Sequence, residues 1–274
     1  MVGEKNEHRF GGVWTETKLS ILAKYLNSYT TALKNKSFEL LYIDAFAGGG
    51  KRTETLPKAP ALEQCEEIVT YDGSARIALE LENPFSRYLF IDNNVDRINE
   101  LEHLKQQFAD KTIKIVKGDA NTVIKETCDG FDWSTNKYRG VIFLDPYGNE
   151  VDWATLASIS KTQCFDIWFL FPFMGVYRQA SHNQSNIEYY KEESLNRIFG
   201  TNKWKDDLYV SPPIEDMFGG THEKERVSLD VIQHWIKDRL TECFTPHVRM
   251  YAEANMFTCY FRRKYAKYER QRAV

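Results

Sequence analysis

Tyr42-Ile43-Asp44-Ala45-Phe46-Ala47-Gly48-Gly49-Gly50 runs an apolar segment into an acid and then into three consecutive glycines. A strand buried on both faces of a parallel sheet reads as such a continuous apolar run. Glycine, lacking a Cβ, lets the chain turn tightly at its end and approach a ligand closely. Working outward, the same texture predicts strands over Phe38–Phe46, Arg87–Ile91, Ile113–Val116, Gly140–Leu144 and Phe165–Phe171, with Val248–Ala252 and Phe257–Phe261 near the end. Helical spacing falls between them, at Ser74–Glu82, Asn94–Phe108 and Trp153–Ser160. It also precedes them, since Thr17–Leu33 places Leu19, Leu22, Ala23, Leu26 and Leu33 largely on one face. This alternation is the pattern of βα units, so the expected class is α/β with a doubly wound sheet.

Only Glu253–Met256 join the last two strands, too short for a crossover helix, so they must form an antiparallel hairpin. Five crossover strands ending in a hairpin are similar to the Rossmann-like, seven-stranded sheet of class I methyltransferases. The expected organisation is one domain over residues 1–274, with an N-terminal helix at 15–35 and insertions at 51–72 and 175–224. The first insertion follows the glycines directly and is expected to fold as a lid. The second holds a polar run at Gln179–Asn186 and the pairs Pro212-Pro213 and Gly219-Gly220, and reads as a looped embellishment for a substrate or partner.

Composition narrows the function classes. The 274 residues are 42% hydrophobic and carry 36 Lys and Arg against 39 Asp and Glu, a net charge of −3. A globally basic nucleic-acid binder is excluded, though a local basic face is not. The longest apolar stretch, Phe165–Tyr177, contains Asp166 and Pro172 and falls short of the roughly 20 residues a membrane helix needs. Met1–Phe10 shows no apolar signal segment, so a cytoplasmic location is expected. Cysteines 65, 128, 164, 243 and 259 stand at no metal-ligand spacing and read as reduced thiols; no metal site is expected.

Three cofactors compete for the glycine loop. A phosphate loop needs GxxxxGK[ST], but Gly50-Lys51 is followed by Arg52 and position 45 is Ala. A dinucleotide fingerprint needs GxGxxG opening directly into a helix, and Gly48–Thr53 lacks the third glycine, which leaves a nicotinamide oxidoreductase as the weaker alternative. An S-adenosylmethionine loop asks for an acid at the strand end followed by glycines, and Asp44 with Phe46, Ala47, Gly48 and Gly50 fits. Two later acids fall where such a cofactor needs them. Asp92, followed by Asn93, ends the second strand and can accept from ribose hydroxyls, and Asp119, followed by Ala120, ends the third and can accept from an adenine amino group. Each alone also reads as a turn former or helix cap.

The fourth strand repeats the device in Leu144-Asp145-Pro146-Tyr147-Gly148. It resembles the [DN]PP[YF] element of amino-methyltransferases, with one Pro and with Gly148 in the aromatic's slot. The resemblance implies that Asp145 and Pro146 hold an exocyclic amine, such as that of a nucleic-acid base, while Tyr147 stacks on it. Catalysis would then be mainly positioning.

Taken together, several segments resemble the three-Cys-motif partner proteins (TcmP). They are Thr17-Lys18, Ile21-Leu22 and Tyr25-Leu26, then Tyr42–Gly48, Gly73–Leu79, Phe90–Asp92, Gly118–Asn121, Leu144–Gly148, and Phe199-Gly200-Thr201 with Trp204. The chain departs from the family at Gly49, where members often carry Pro, and in its basic end. Membership implies a methyltransferase-like fold, S-adenosylmethionine binding, and a radical-SAM-like partner that carries the three cysteines. A non-catalytic S-adenosylmethionine-binding partner of such a protein is the alternative to an enzyme. At the end of the chain Arg262, Arg263, Lys264, Lys267, Arg270 and Arg272 interleave with Tyr265 and Tyr268, a composition able to bind phosphates and stack on bases. A solvated, fraying terminus has the same composition.

Overall fold

Apolar runs become strands where both faces are covered, and the computed structural model follows that rule closely. It describes residues 12–57, 66–135, 137–211, 223–244, 248–253 and 256–261, divided between two compact units, Met1–Gly118 and Asp119–Val274.

The first unit runs α1 (Gly12–Leu33), β1 (Glu39–Asp44), β2 (Lys51–Pro57), β3 (Glu66–Asp72), α2 (Ser74–Leu79), β4 (Arg87–Asp92), α3 (Val95–Gln107) and β5 (Ile113–Lys117). β4 lies between β1 and β5, parallel to both, with Tyr42 opposite Tyr88 and Phe90 opposite Ile115. Tyr42, Phe85, Tyr88 and Phe90 form a buried aromatic cluster in which the Tyr42 and Phe85 rings lie 5.4 Å apart. Burying each such ring contributes roughly 1.5–3 kcal/mol. The Tyr88 hydroxyl accepts from the Phe85 amide at 3.0 Å, and burial pushes its pKa up to about 12. Leu22 and Leu26, two of the residues predicted to share a face of α1, are fully buried.

The insertion after β1 is, over its described residues, a two-stranded ribbon. β2 and β3 pair antiparallel from Lys51 opposite Asp72 to Pro57 opposite Glu66, and the Gly73 amide closes the root on the Gly50 carbonyl at 3.0 Å. Lys51–Pro57 alternates polar and charged residues with few apolar ones, so no apolar run marked it as a strand. Residues 58–65, Cys65 among them, lie outside the described residues.

The second unit runs α4 (Ala120–Asp129), β6 (Tyr138–Leu144), α5 (Trp153–Thr162), β7 (Phe165–Phe171), α6 (Phe173–Gln179), α7 (Tyr189–Phe199), α8 (Trp204–Asp207), β8 (Tyr209–Val210), β9 (Glu225–Arg226), α9 (Leu229–Cys243), β10 (Val248–Glu253) and β11 (Met256–Phe261). β6 and β7 are parallel, with Gly140 opposite Phe165. β11 pairs antiparallel with β7 and with β10, which is the predicted hairpin. All seven residues of β7 are buried. Cys128 and Cys164 are buried, and burial pushes the Cys128 thiol up to about 12, away from thiolate reactivity.

The segment 175–224, which reads as a looped embellishment, carries helices among its described residues. Leu195, Ile198 and Phe199 recur at helical spacing along α7 and are buried together with Trp204, Leu208 and Tyr209. Charged residues between them hid that face in the sequence. α7 ends at Gly200, whose φ of +64° places it in the left-handed region. A Cβ there would lie 2.3 Å from the Trp153 ring. The Arg239 guanidinium stacks over that same ring at 4.4 Å while its Nε donates to the Phe199 carbonyl at 3.3 Å.

Candidate functional site

In the first unit the loop after β1 folds back on the end of β4. Asp44 closes β1 fully buried, and one carboxylate oxygen accepts from the Phe46 amide at 3.4 Å. Ala47 is buried and donates its amide to the Ile91 carbonyl at 3.0 Å. Gly48 then adopts φ +62°, and its amide donates to Asp92 Oδ2 at 3.0 Å. Asp92 Oδ1 accepts from the Asn94 amide at 2.8 Å, and the Arg97 guanidinium stands 3.6 Å from Oδ2. Asn94 caps α3, accepting from the Asp96 and Arg97 amides.

One buried carboxylate therefore fixes both the glycine loop and the entry to α3. A carboxylate offers about four acceptor positions. Two of them go to backbone amides, which leaves less for ribose hydroxyls than the sequence suggested. Among the described residues nothing lies within 4 Å of where a Gly48 Cβ would project, so the loop is open at that glycine, whereas a Cβ on Gly49 would meet the Glu100 carboxylate. Asn93, the other residue expected at the ribose, is exposed beside Asp92. Gly50, at φ +73°, lies against Leu104 of α3 and closes the loop.

In the second unit Asp119 is the exposed N-cap of α4: its Oδ1 accepts from the Thr122 amide and hydroxyl, each at 2.9 Å. The cap reading of this acid is thus realised, through Oδ1. Ala120 is the buried first residue of that helix. After β6, Asp145 is half-buried, Pro146 is buried and Tyr147 is fully exposed, at 102%. A tyrosine with its ring this free can stack on a planar ligand.

Several residues to which the sequence analysis gave no role hold the loop from Asp145 to Asp152. Asn121, the last residue of the Gly118–Asn121 segment, donates to the Glu150 carbonyl at 2.8 Å and accepts from the Asp152 amide at 2.9 Å and the Thr155 hydroxyl at 2.7 Å. Glu150 accepts from the Tyr147 amide at 3.2 Å. Asn149 donates to Gln179 Oε1 at 2.8 Å. Arg197 donates to the Asn149 carbonyl at 3.0 Å and pairs with Asp152 at 3.0 Å. Asn121 stood beside a motif and was visible; Arg197 and Gln179 lie dozens of residues away in an insertion and gave no signal.

Burial raises the pKa of Asp152 above the ordinary carboxylate value, by more than Arg197 and Lys125 lower it, and neighbouring Asp119 raises it further. The folded carboxyl thus binds its proton more tightly than the unfolded one. Ionisation costs stability, not at all below the unfolded pKa and in full above the folded one. Asp152→Asn should therefore gain on the wild type as pH rises through the ordinary carboxylate range and above it. Thermal unfolding across that range checks this, and a gap independent of pH refutes it.

The basic residues Arg262, Arg263, Lys264, Lys267, Arg270 and Arg272 lie outside the described residues. Among the described residues, no helix is long and apolar enough to cross a membrane.

No protein-family model and no curated protein matches the chain. Among solved structures it is similar to protein LPL1258 from Legionella pneumophila str. Philadelphia 1, of family-model DUF519, at 13% identity and a TM-score of 0.39, covering 81% of this chain and 92% of that one. It is also similar to the N-terminal domain of EvdMO1 with SAH bound, at 8% identity and a TM-score of 0.39, covering 88% and 80%. The same domain in the presence of SAH and D-fucose gives 8% identity and a TM-score of 0.39, covering 88% and 82%.

Proposed function

We propose that the protein is an S-adenosylmethionine-dependent methyltransferase of the TcmP type, acting on an amine such as that of a nucleic-acid base. The reading places its strands in one Rossmann-like sheet of seven. The observation that carries it is the pairing of Asp92 with the Gly48 amide. An acid at one strand end pins a positive-φ glycine in the loop after another, beside a second buried acid, Asp44.

The residues present fit the cofactor. The open space at Gly48 would admit close approach, Asp92 would have acceptor positions left for a ribose hydroxyl, and Asp44, the buried acid at the end of β1, would face the methionine end. When bound, the cofactor would supply an electrophilic methyl group. Asp145 would accept a hydrogen bond from the acceptor amine and so aim its lone pair, while Tyr147 stacks on the ring that bears it. The ribbon of β2 and β3 would cover the cofactor as a lid, so hydrogen exchange of 51–57 and 66–72 should slow when S-adenosylhomocysteine is added. Equal exchange in both states rejects the lid.

The deciding experiment has two steps. S-adenosylhomocysteine is first titrated calorimetrically, and no heat at millimolar ligand rejects the cofactor. Labelled methyl donor is then incubated with total RNA, DNA and protein. Labelling of RNA or DNA that falls at least a hundredfold in Asp145→Ala, with donor affinity unchanged, supports the catalytic assignment. Binding without labelling of any pool supports the non-catalytic reading.

A further inference from the structure

The loop that bears Asp145, Pro146 and Tyr147 runs from the end of β6 to the start of α5 without regular structure. An irregular loop holds one conformation only as well as its fixed contacts hold it. Two of those contacts, from Gln179 and Arg197, originate in the insertion 175–224. Arg197 grips the loop at two points with one rigid group: a terminal nitrogen donates to the Asn149 carbonyl and Nε faces the Asp152 carboxylate, each at 3.0 Å. The guanidinium fork suits this task because its donors are fixed relative to one another.

Half the Arg197 side chain is exposed, at 54%, so as an ion pair it contributes little to global stability. Its geometric demand is nonetheless high. α7 itself is anchored independently, by Leu195, Ile198 and Phe199 in the core and by Gly200 against Trp153.

We propose that the insertion serves as a clamp on the acceptor loop, with Arg197 as a positioning residue that sets where Asp145 and Tyr147 stand relative to the amine. The proposal rests on the acceptor role given to those residues above. The clamp itself can be read without any acceptor.

Amide exchange reports it directly. The Tyr147, Glu150 and Asp152 amides donate to Glu150 Oε2, the Gly148 carbonyl and Asn121 Oδ1 respectively. In Arg197→Ala they should exchange about tenfold faster, while the amides of α7 and the affinity for S-adenosylhomocysteine stay at wild-type values. Arg197→Lys can reach Asp152 but cannot also reach Asn149, so it should restore protection only in part. Guanidinium ion at about 20 mM, far below denaturing concentrations, should refill the site in Arg197→Ala and restore it. Unchanged loop exchange in Arg197→Ala, full restoration by Lys, or equal acceleration throughout α7 overturns the clamp. Failure of the wild type to bind S-adenosylhomocysteine would instead strike the functional reading and leave the exchange result to decide the clamp.

Discussion

Asp92→Ala is expected to abolish measurable binding of S-adenosylhomocysteine and to lower the unfolding free energy in urea by about 3 kcal/mol. The stability loss comes from the backbone. Gly48 and Asn94 would lose a charged acceptor at 3.0 and 2.8 Å, and the site is too buried for water to replace it fully. Hydrogen bonds to charged groups contribute about 1.5–3 kcal/mol each. Asp92→Asn should fall between, since its amide oxygen can satisfy one of the two donors while its NH2 group faces the other. Arg97→Ala is the control: its side chain is 58% exposed, so the ion pair adds little. Wild-type stability in Asp92→Ala would show that the loop is held by other means.

Gly200→Ala should destabilise the protein by about 2–5 kcal/mol in the same assay. The left-handed backbone costs an L-residue roughly 1–2 kcal/mol, and the new methyl must also displace the Trp153 ring, 2.3 Å away and held on by Arg239. In a Trp153→Gly background, which also removes the Trp153 Cβ at 2.6 Å, the second part vanishes, and the same substitution should cost only about 1–2 kcal/mol. Equal costs in both backgrounds would mean that the ring moves aside freely.

Continuous apolar runs made the skeleton legible in the sequence. Phe165–Phe171 was predicted as a strand with its observed limits, because a strand covered on both faces has no polar position to blur them. α4 and α9 went unpredicted, their apolar residues being diluted by Lys, Asp and Glu. Within the candidate site the acids could be named but not their occupations. No local pattern tells that Asp92 accepts from an amide 44 residues earlier, whereas the bond from Thr122 to Asp119 is the local cap that the sequence also offered. The clamp residues Gln179 and Arg197 were invisible for the same reason: their partners are fixed by the fold and not by neighbouring sequence.

The hydrogen bond between Gly73 and Gly50, at 3.0 Å, gives the ribbon of β2 and β3 a common point of departure and return. A Cβ on Gly73 would stand only 3.1 Å from the Gly50 carbonyl carbon, so the two chain crossings are nearly fused. A segment whose ends coincide can be lengthened, exchanged or removed without altering the distance the rest of the chain must span. This position is therefore a modular port, at which related chains can carry ribbons of different length and chemistry while Asp44 and Ser74 keep their places. It is also where a short turn or a foreign hairpin could be grafted into this one.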